Sequence, residues 1–252
     1  MNASLIEEFS SLRTQKRKGF AVLIDPDDIN SERMLQLIDL AISCKLDYFL
    51  VGGSLVKDRY IHDLIPFIKS HCDIPIILFP ASLHQVVPSA DAILFLSLIS
   101  GRNADLLIGK HVEAAPIIRE SGLEVLPTGY LLIDCGRPTT ASYMSNSFPI
   151  PYDKASIAAC TAMAGEMLGL QLMYMDGGSG AERAISTNMV KAVREQTSVP
   201  LICGGGIRSV GEALRIWEAG ADVIVIGNAI EKDPSSSLLQ EVAAARYSFI
   251  SC

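Results

Sequence analysis

The chain has 252 residues, of which 49% are hydrophobic, and it carries a formal net charge of −7 at pH 7. This length and apolar content suffice for one large hydrophobic core, and the acidic balance argues against a protein that binds nucleic acid over a broad surface. The six cysteines show no CxxC spacing, which predicts reduced thiols rather than a disulfide framework or a zinc site. Segment 1–18 lacks the apolar core of a signal peptide, and no apolar run reaches membrane-spanning length. We therefore expect a cytoplasmic protein without stable membrane insertion.

Eight short apolar runs alternate with segments of helical periodicity along the chain. Runs of Ile, Leu and Val without polar alternation are typical of strands buried on both faces of a parallel sheet. The predicted strands are Phe20–Ile24, Tyr48–Val51, Ile74–Phe79, Ala92–Leu96, Val125–Gly129, Leu172–Met175, Leu201–Cys203 and Val223–Ile226. An open doubly wound sheet fits this alternation, but the count of eight favours an α/β fold with a single (β/α)8 TIM-type barrel domain over 1–252. Segment 1–18 is predicted to be an N-terminal helical extension.

Two segments depart from the regular alternation. Ala81–Asp91 is too short for a full crossover helix and contains Pro88, so we expect one outer helix to be replaced by extended chain. Segment 131–153 is long and contains several Gly, Pro, Ser and Thr residues after the fifth predicted strand. Because long loops in compact domains are usually functional or mobile, we predict an active-site loop here. A lid and a merely tolerated surface loop both fit this composition.

Two glycine clusters end the last two predicted strands. They read Cys203-Gly204-Gly205-Gly206-Ile207-Arg208 and Ile226-Gly227-Asn228-Ala229. Glycine has no Cβ, so bare backbone N–H groups at adjacent strand ends can surround a phosphate dianion, and barrels often place a phosphate site after strands seven and eight. A single glycine triplet is also compatible with a tight turn. The pair at this spacing predicts that the protein binds a phosphorylated small molecule.

Carboxylates follow the first and sixth predicted strands. Asp25, Asp27 and Asp28 lie within four positions, where a Mg²⁺ ion shared with phosphate oxygens would offset their mutual repulsion. Alternatively, Asp27 or Asp28 caps the helix that starts near Ser31. Ser54, after the second strand, can contribute its hydroxyl to the metal or to a phosphate. Asp176 is the lone acid in Tyr174-Met175-Asp176-Gly177-Gly178-Ser179-Gly180, where it can accept hydrogen bonds or a proton from a polyol hydroxyl.

Three basic residues follow the fourth predicted strand. Arg102, Lys110 and His111 are candidates to meet a second anionic group, although a solvated helix face also explains such charges.

The ordered set LIDPD, VGGS, RNADLLIGKH, YMDGGSG, GGGIR and GNA resembles the geranylgeranylglyceryl phosphate synthase family, whose bacterial branch includes the PcrB and heptaprenylglyceryl phosphate synthase proteins. The match extends from about Phe20 to Ile230. The resemblance implies a barrel with one outer helix replaced. It also implies a Mg²⁺-dependent transfer of a prenyl group from a long allylic diphosphate to the 3-hydroxyl of sn-glycerol 1-phosphate, which forms an ether lipid precursor. Dimers and larger rings are both consistent with the resemblance, so we expect a homo-oligomer, and we expect a C20 prenyl chain.

Carried over to this sequence, the resemblance assigns catalysis to Asp25 and Asp176, and magnesium and diphosphate binding to Asp25 and Ser54. Many family members have glutamate at the position of Asp176 and a basic residue at the position of Asp28, which weakens any catalytic assignment to Asp28. For the prenyl tail we expect an apolar groove that includes Leu126, Tyr130, Leu131 and residues of the 131–153 loop. The residues expected to hold glycerol phosphate are Tyr174, Met175, Asp176, Gly177, Gly178, Ser179, Gly180, Gly205, Gly206, Gly227 and Asn228.

Two other function classes share these motifs. Phosphosugar isomerase or synthase barrels of amino-acid or thiamine biosynthesis carry similar phosphate loops. Such an isomerase usually needs a second acid or base at the end of strand five, where Pro127-Thr128-Gly129 offers none. A non-catalytic barrel that binds a phosphorylated metabolite is the third reading, and the carboxylates of Asp25 and Asp176 argue against it.

Overall fold

The computed structural model describes residues 4–56, 58–227 and 237–249, in which eight parallel strands close into a barrel in chain order. Pairing of the eighth strand with the first closes the ring, so the predicted TIM-type barrel is confirmed. Every predicted strand is present, although the third is shorter and the fifth longer than predicted. The strands are β1 Gly19–Ile24, β2 Tyr48–Val51, β3 Ile76–Leu78, β4 Ala92–Ser97, β5 Glu124–Leu132, β6 Leu172–Asp176, β7 Leu201–Gly204 and β8 Val223–Ile226.

Helices cover the outside of the barrel, and the sequence sets several of their ends. Asn30 accepts a hydrogen bond from the backbone N–H of Arg33 at the start of α2, and Ser209 does the same for Glu212 at the start of α8. A π-helical turn, Asp105–Gly109, precedes α4. The helices in the described residues are α1 Leu5–Thr14, α2 Ser31–Ser43, α3 Asp58–Lys69, α4 Lys110–Ser121, α5 Thr140–Met144, α6 Ala155–Met167, α7 Thr187–Gln196, α8 Val210–Glu218 and α9 Leu238–Arg246. None of them combines the length and apolar character needed to cross a lipid bilayer.

The connection from β3 to β4 has no α-helix. Residues 79–91, all of which the structure describes, contain only the 3-10 turn Leu83–Gln85. The predicted replacement of one outer helix by extended chain is therefore confirmed. The first three residues of β4 are buried, whereas the last three, Phe95 to Ser97, are only half-buried.

The core has two layers, one inside the barrel and one between the strands and the helices. On β6, Tyr174 belongs to the inner layer, and Met173 and Met175 belong to the outer layer. Helix α1 closes the N-terminal end of the barrel, where Phe9 stacks on Tyr48 with ring centroids 4.7 Å apart. Glycine loops and carboxylates therefore meet at the opposite, open end, as expected for the C-terminal face of such a barrel.

Segment 131–153 is more structured than the loop that the sequence predicts. Leu131 and Leu132 form the last two residues of β5 and are buried. Ile133 then forms a parallel bridge with Ile150, and α5 lies between them. The predicted start of the loop at residue 131 was wrong, because β5 continues to Leu132. The composition of the segment also gives no sign of its short helix and its bridge. The role of the segment as an active-site loop stays a prediction.

Candidate active site

A polar cavity of about 280 Å³ opens at the C-terminal ends of the strands. Loops after β1, β2, β6, β7 and β8 contribute to its wall, and α5 covers one side. Because these loops come from distant parts of the sequence, only closure of the barrel brings them together. Its lining comprises Leu23, Asp25, Asp28, Gly52, Gly53, Ser54, Leu55, Phe79, Thr140, Ala141, Tyr174, Asp176, Gly178, Ser179, Gly180, Ala181, Gly205, Gly206, Ile207, Arg208, Val225 and Gly227.

The loops after β6 and β7 approach each other so closely that glycine is required. A Cβ on Gly205 would lie 2.8 Å from the backbone nitrogen of Gly177, and a Cβ on Gly206 would meet the carbonyl of Arg183. Both glycines also have φ values, +85° and +74°, that L side chains rarely adopt. The backbone of both loops therefore reaches the cavity wall without side chains in between, which is the arrangement of an anion-binding nest.

Arg208 fastens the same two loops together. Its guanidinium donates to the backbone carbonyls of Ala181 and Glu182, 26 to 27 residues earlier in the chain. The side chain also lines the cavity and brings a positive charge to it. The site thus combines bare backbone with a cation, and both favour a phosphate group.

Asp176 is the buried acid of the cavity, with 8% of its surface exposed. Its Oδ2 accepts a hydrogen bond of 2.5 Å from the hydroxyl of Tyr130, and its Oδ1 accepts one of 2.7 Å from the N–H of Gly178. Burial raises the pKa of Asp176, and these two donors act in the opposite direction. A carboxylate held in this way can accept a hydrogen bond or a proton from a ligand hydroxyl.

Asp25 is the half-buried acid on the other side of the cavity. Its Oδ1 accepts a hydrogen bond of 3.0 Å from the N–H of Asp27, and burial is the main cause of its raised pKa, to which the charges of Asp28 and Asp27 add. Asn30, and not an aspartate, caps α2, so the capping alternative for Asp27 and Asp28 is wrong.

The residues around Asp25 fit a hard cation that also binds ligand oxygens. A Cβ on Gly53 would lie 2.9 Å from Oδ2 of Asp25, so the β2 loop that carries Ser54 is next to this carboxylate. In the described part of the chain, no three His, Cys, Asp or Glu side chains form a group able to hold a metal. Mg²⁺ is usually bound by one or two carboxylates, and phosphate oxygens of the substrate take further coordination positions. The donor set therefore fits Mg²⁺ together with a phosphorylated ligand.

An apolar groove of about 240 Å³ continues from the polar cavity along the flank of β4. It occupies the place where the outer helix is missing, between the 3-10 turn and α4. Four residues, Gly53, Ser54, Phe79 and Ala141, line both spaces. The groove also includes Leu94, Leu96, Leu98, Leu106, Val86, Ala114, Ile118, Tyr130 and Met144. A ligand can therefore place a polar end in the cavity and an apolar tail in the groove.

Most of the predicted site residues line the cavity, but several do not. The side chain of Met175 is fully buried in the outer core layer, because successive residues of a strand point to opposite faces. Gly177 is absent from the cavity wall, and its N–H donates to the carbonyl of Gly204. Asn228 lies outside the described residues.

The groove predictions were also partly wrong. Tyr130 lines the groove, whereas Leu126 lies inside the barrel and Leu131 in the outer core layer. Lys110 and His111 line the groove, and Arg102 lies instead beside α6.

Sequence reasoning missed three contributors to the site. Tyr130 was predicted only as an apolar surface, because the strand was expected to end at Gly129 and its bond to Asp176 joins distant residues. Phe79 directly follows β3, and its ring stacks with that of Tyr174 at a centroid distance of 5.2 Å. Arg208 stands in the GGGIR motif, where its basic charge beside the glycines was an available signal.

Comparison with known proteins agrees with this geometry. A model of the PcrB family matches residues 12–246. A relative from Spirosoma linguale, named geranylgeranylglyceryl phosphate synthase, is 53% identical over 227 residues, which cover 90% of each chain. The crystal structure of (S)-3-O-geranylgeranylglyceryl phosphate synthase from Thermoplasma acidophilum, in complex with substrate sn-glycerol-1-phosphate, has a TM-score of 0.91. That protein is 29% identical, and the match covers 98% of this chain and 100% of that one.

A thiamine phosphate pyrophosphorylase from Pyrococcus furiosus matches far less well, with a TM-score of 0.58 and 12% identity over 94% of this chain and 98% of that chain. That likeness shows the barrel fold alone. The family model spans almost the whole chain, and the bacterial relative shares more than half of its aligned residues. This chain therefore belongs to the PcrB family, and its relatives are named geranylgeranylglyceryl phosphate synthases.

Proposed function

We propose that this protein transfers a geranylgeranyl or similar prenyl group from its diphosphate to the 3-hydroxyl of sn-glycerol 1-phosphate. The observation that carries the proposal is the continuity between the polar cavity and the apolar groove through Gly53, Ser54, Phe79 and Ala141. A prenyl diphosphate has the same division into an anionic head and a long apolar tail. Family membership and the substrate complex of the Thermoplasma relative support this assignment.

Glycerol phosphate would occupy the side of the cavity formed by the loops after β6, β7 and β8. The phosphate would meet the backbone of Gly180, Gly205, Gly206 and Gly227, with the charge of Arg208 nearby. Anchoring the phosphate leaves the glycerol hydroxyls facing Asp176. Fixing the acceptor in this way lowers the entropic part of the barrier, because the two substrates no longer have to find each other in solution.

The reaction breaks the bond between C1 of the prenyl group and the diphosphate oxygen, and forms an ether bond from C1 to the 3-oxygen of glycerol phosphate. Diphosphate leaves with the electron pair of the broken bond. The proton of the attacking hydroxyl passes to Asp176, whose two oxygens are already oriented by Tyr130 and Gly178. The rings of Phe79, Tyr130 and Tyr174, with centroids 5.2 to 5.9 Å apart, lie where C1 must pass between cavity and groove. Their faces can stabilise positive charge on C1.

We further propose that the activity depends on Mg²⁺, held by Asp25 and Ser54. When bound, Mg²⁺ supplies positive charge that stabilises the leaving diphosphate. Asp25 provides the charged ligand for it, and the N–H of Asp27 orients that carboxylate.

Incubation of purified protein with Mg²⁺, sn-glycerol 1-phosphate and a series of prenyl diphosphates, followed by mass analysis, tests the function. The expected product is a prenylglyceryl phosphate, with the C20 donor used best, and omission of Mg²⁺ is expected to abolish its formation. Failure of every donor to give an ether product, with glycerol phosphate still bound, would instead favour the non-catalytic reading.

The phosphate nest predicts a specific effect of Gly206→Ala. The added Cβ meets the carbonyl of Arg183 and displaces the backbone at the cavity wall. We expect the KM for sn-glycerol 1-phosphate to rise by about tenfold or more, which is the loss of one charge-assisted hydrogen bond. Steady-state kinetics with both substrates varied provides the measurement.

Gly122→Ala is the matched control for this variant. Gly122 has the same φ of +74°, but a Cβ there meets nothing within 4 Å, and it precedes β5 at the closed end of the barrel. Both variants should lose about 1–2 kcal/mol of stability from the left-handed backbone. Only Gly206→Ala should change the KM, and an equal change in both variants would contradict a phosphate role for the β7 loop.

The groove predicts which substitution shortens the accepted prenyl chain. Ala114 is a small, buried residue of α4 on the groove wall, and phenylalanine there would fill space next to Ile118. We expect Ala114→Phe to lower kcat/KM for the C20 donor by about tenfold or more, because part of the tail loses its binding surface. Activity with the C10 donor should change little. Equal losses with both donors would place the tail elsewhere or indicate general damage by overpacking.

Two further expectations stay predictions. A homo-oligomer is supported by the exposed apolar side chains of Ile157, Met167 and Leu168, which lie on or just after α6. The cytoplasmic location follows only from the sequence.

A further inference from the structure

Tyr130 is the one tyrosine in the described residues whose hydroxyl is hydrogen-bonded to Asp176. The residue lies on β5 with 9% of its surface exposed, and its Oη is 2.5 Å from Oδ2 of Asp176 on the adjacent strand β6. Its ring is fixed by an edge contact with Phe79, at a centroid distance of 5.9 Å, and by a tilted contact with Tyr174 at 5.7 Å. The register of β5 and β6 pairs Tyr130 directly with Tyr174, so the hydroxyl reaches Asp176 two residues further along.

Together with the bond from Gly178, this hydrogen bond gives each carboxylate oxygen of Asp176 one protein donor. Gly178 donates to Oδ1 and Tyr130 donates to Oδ2, so each oxygen holds one protein donor. Each carboxylate oxygen has two lone pairs, which leaves one on each oxygen for a ligand. The hydroxyl of Tyr130 can be removed by a single side-chain substitution that leaves the backbone conformation unchanged. The N–H of Gly178 cannot be removed in this way.

We propose that Tyr130 is a positioning residue of the reaction: its hydroxyl fixes the orientation of Asp176 and favours the ionised form of this carboxylate. The inference rests on the proposed function, in which Asp176 accepts the proton of the glycerol hydroxyl. Burial favours the neutral acid, and a donor to the ionised form favours the carboxylate. Without the Tyr130 hydroxyl, the N–H of Gly178 is the donor to Asp176 that remains within the described residues.

The charged and titratable groups around Asp176 support a direct effect of Tyr130. No Lys or His side chain lines the cavity wall in the described residues, and the cation there, Arg208, is bonded to carbonyls of the β6 loop. The groups that face Asp176 or share its cavity include Tyr130 on β5, Tyr174 on β6, Cys135 after β5, Asp25 and Asp28 after β1, and Arg208 after β7. The guanidinium of Arg137, after β5, lies against Gly180 in the cavity wall.

The variant Tyr130→Phe tests the inference, because it removes only the hydroxyl and retains the ring. The acid limb of the pH profile of kcat/KM should move to higher pH by about one unit or more, since the lost bond is a charge-assisted one. At pH values below the acid limbs of both enzymes we expect kcat/KM to fall by about tenfold. Much of the loss should be recovered at high pH, where Asp176 is ionised in the variant too. A purely structural loss would lower the rate equally at every pH.

Tyr48→Phe is the matched control. Tyr48 is also buried in the barrel interior, and its hydroxyl is near enough to the carboxylate of Glu8 to lower the pKa of Glu8, but at the closed end beneath α1. Its pH profile should coincide with that of the wild type. An unshifted profile in Tyr130→Phe, or a uniform loss across pH, would overturn the inference while leaving the prenyl transfer itself intact.

A second measurement does not depend on turnover. Titration of ¹³C-labelled aspartate carboxyl groups by NMR, with the Asp176→Asn variant to assign the resonance, reports the ionisation of Asp176 directly. We expect its midpoint to be higher in Tyr130→Phe than in the wild type. Equal midpoints would overturn the inference, and absence of prenyl transfer in the wild type would overturn the proposed function without changing this result.

Discussion

Replacement of Asp25 by asparagine is expected to lower kcat by about a thousandfold or more, because the diphosphate then loses the charged ligand of its counter-ion. Asparagine retains an oxygen that can accept the N–H of Asp27, so the backbone of the β1 loop should keep its course. The wild-type carboxylate is half-buried and its pKa is raised, so removal of its charge should not destabilise the barrel. Single-turnover rates at increasing Mg²⁺ concentration, together with a thermal melt, provide the measurement.

Asp39→Asn is a suitable control for the change in net charge. Asp39 is exposed on α2, away from the cavity. It should retain wild-type activity and the wild-type Mg²⁺ dependence. Near-normal turnover of Asp25→Asn in a folded protein would refute the metal role of Asp25, and with it the assignment of the diphosphate to this side of the cavity.

The second large effect is expected for Asp176→Asn. The amide is nearly isosteric and can still accept the hydroxyl of Tyr130, but it cannot take up the proton of the glycerol hydroxyl. We expect kcat to fall by about a hundredfold to ten-thousandfold, the usual size of a general-base contribution. Because activity requires the ionised form and burial raises the pKa of Asp176, the wild-type rate should fall as the pH is lowered through a value above the ordinary aspartate range. The variant should lack this limb.

Asp176→Glu provides the informative comparison, because it restores the charge with one additional methylene. Glutamate is also the residue that the sequence resemblance places here in many family members. We expect this variant to recover much of the activity and the pH-dependent limb. If Asp176→Asn retained the limb, the titrating group would be another residue, and Asp176 would only orient the substrate.

Local sequence patterns were sufficient for the fold. Eight apolar runs without polar alternation predicted the strands, since only strands covered on both faces need to be apolar at every position. The missing outer helix was predicted because the segment between the third and fourth strands is too short for a helix and contains Pro88. The end of β5 was predicted at Gly129 instead of Leu132, because a strand that continues into a bridge has no glycine or proline to mark where it ends.

This boundary error had a consequence for function. The argument against the isomerase alternative is that Pro127-Thr128-Gly129 offers no acid or base, yet the strand continues to Tyr130, which contacts Asp176. The comparisons with known proteins, and not that argument, separate the alternatives.

The sequence by itself determined the barrel, the phosphate loops and the two carboxylates, because each depends on residues within a few positions of one another. Only the tertiary structure decided that Met175 faces away from the cavity, that Asn30 caps α2, and that Tyr130 holds Asp176. It also decided that the groove for the tail runs along β4. These properties depend on which side chains meet across strands and loops that are distant along the chain. Their meeting is set by strand register and barrel closure, for which no short sequence pattern codes.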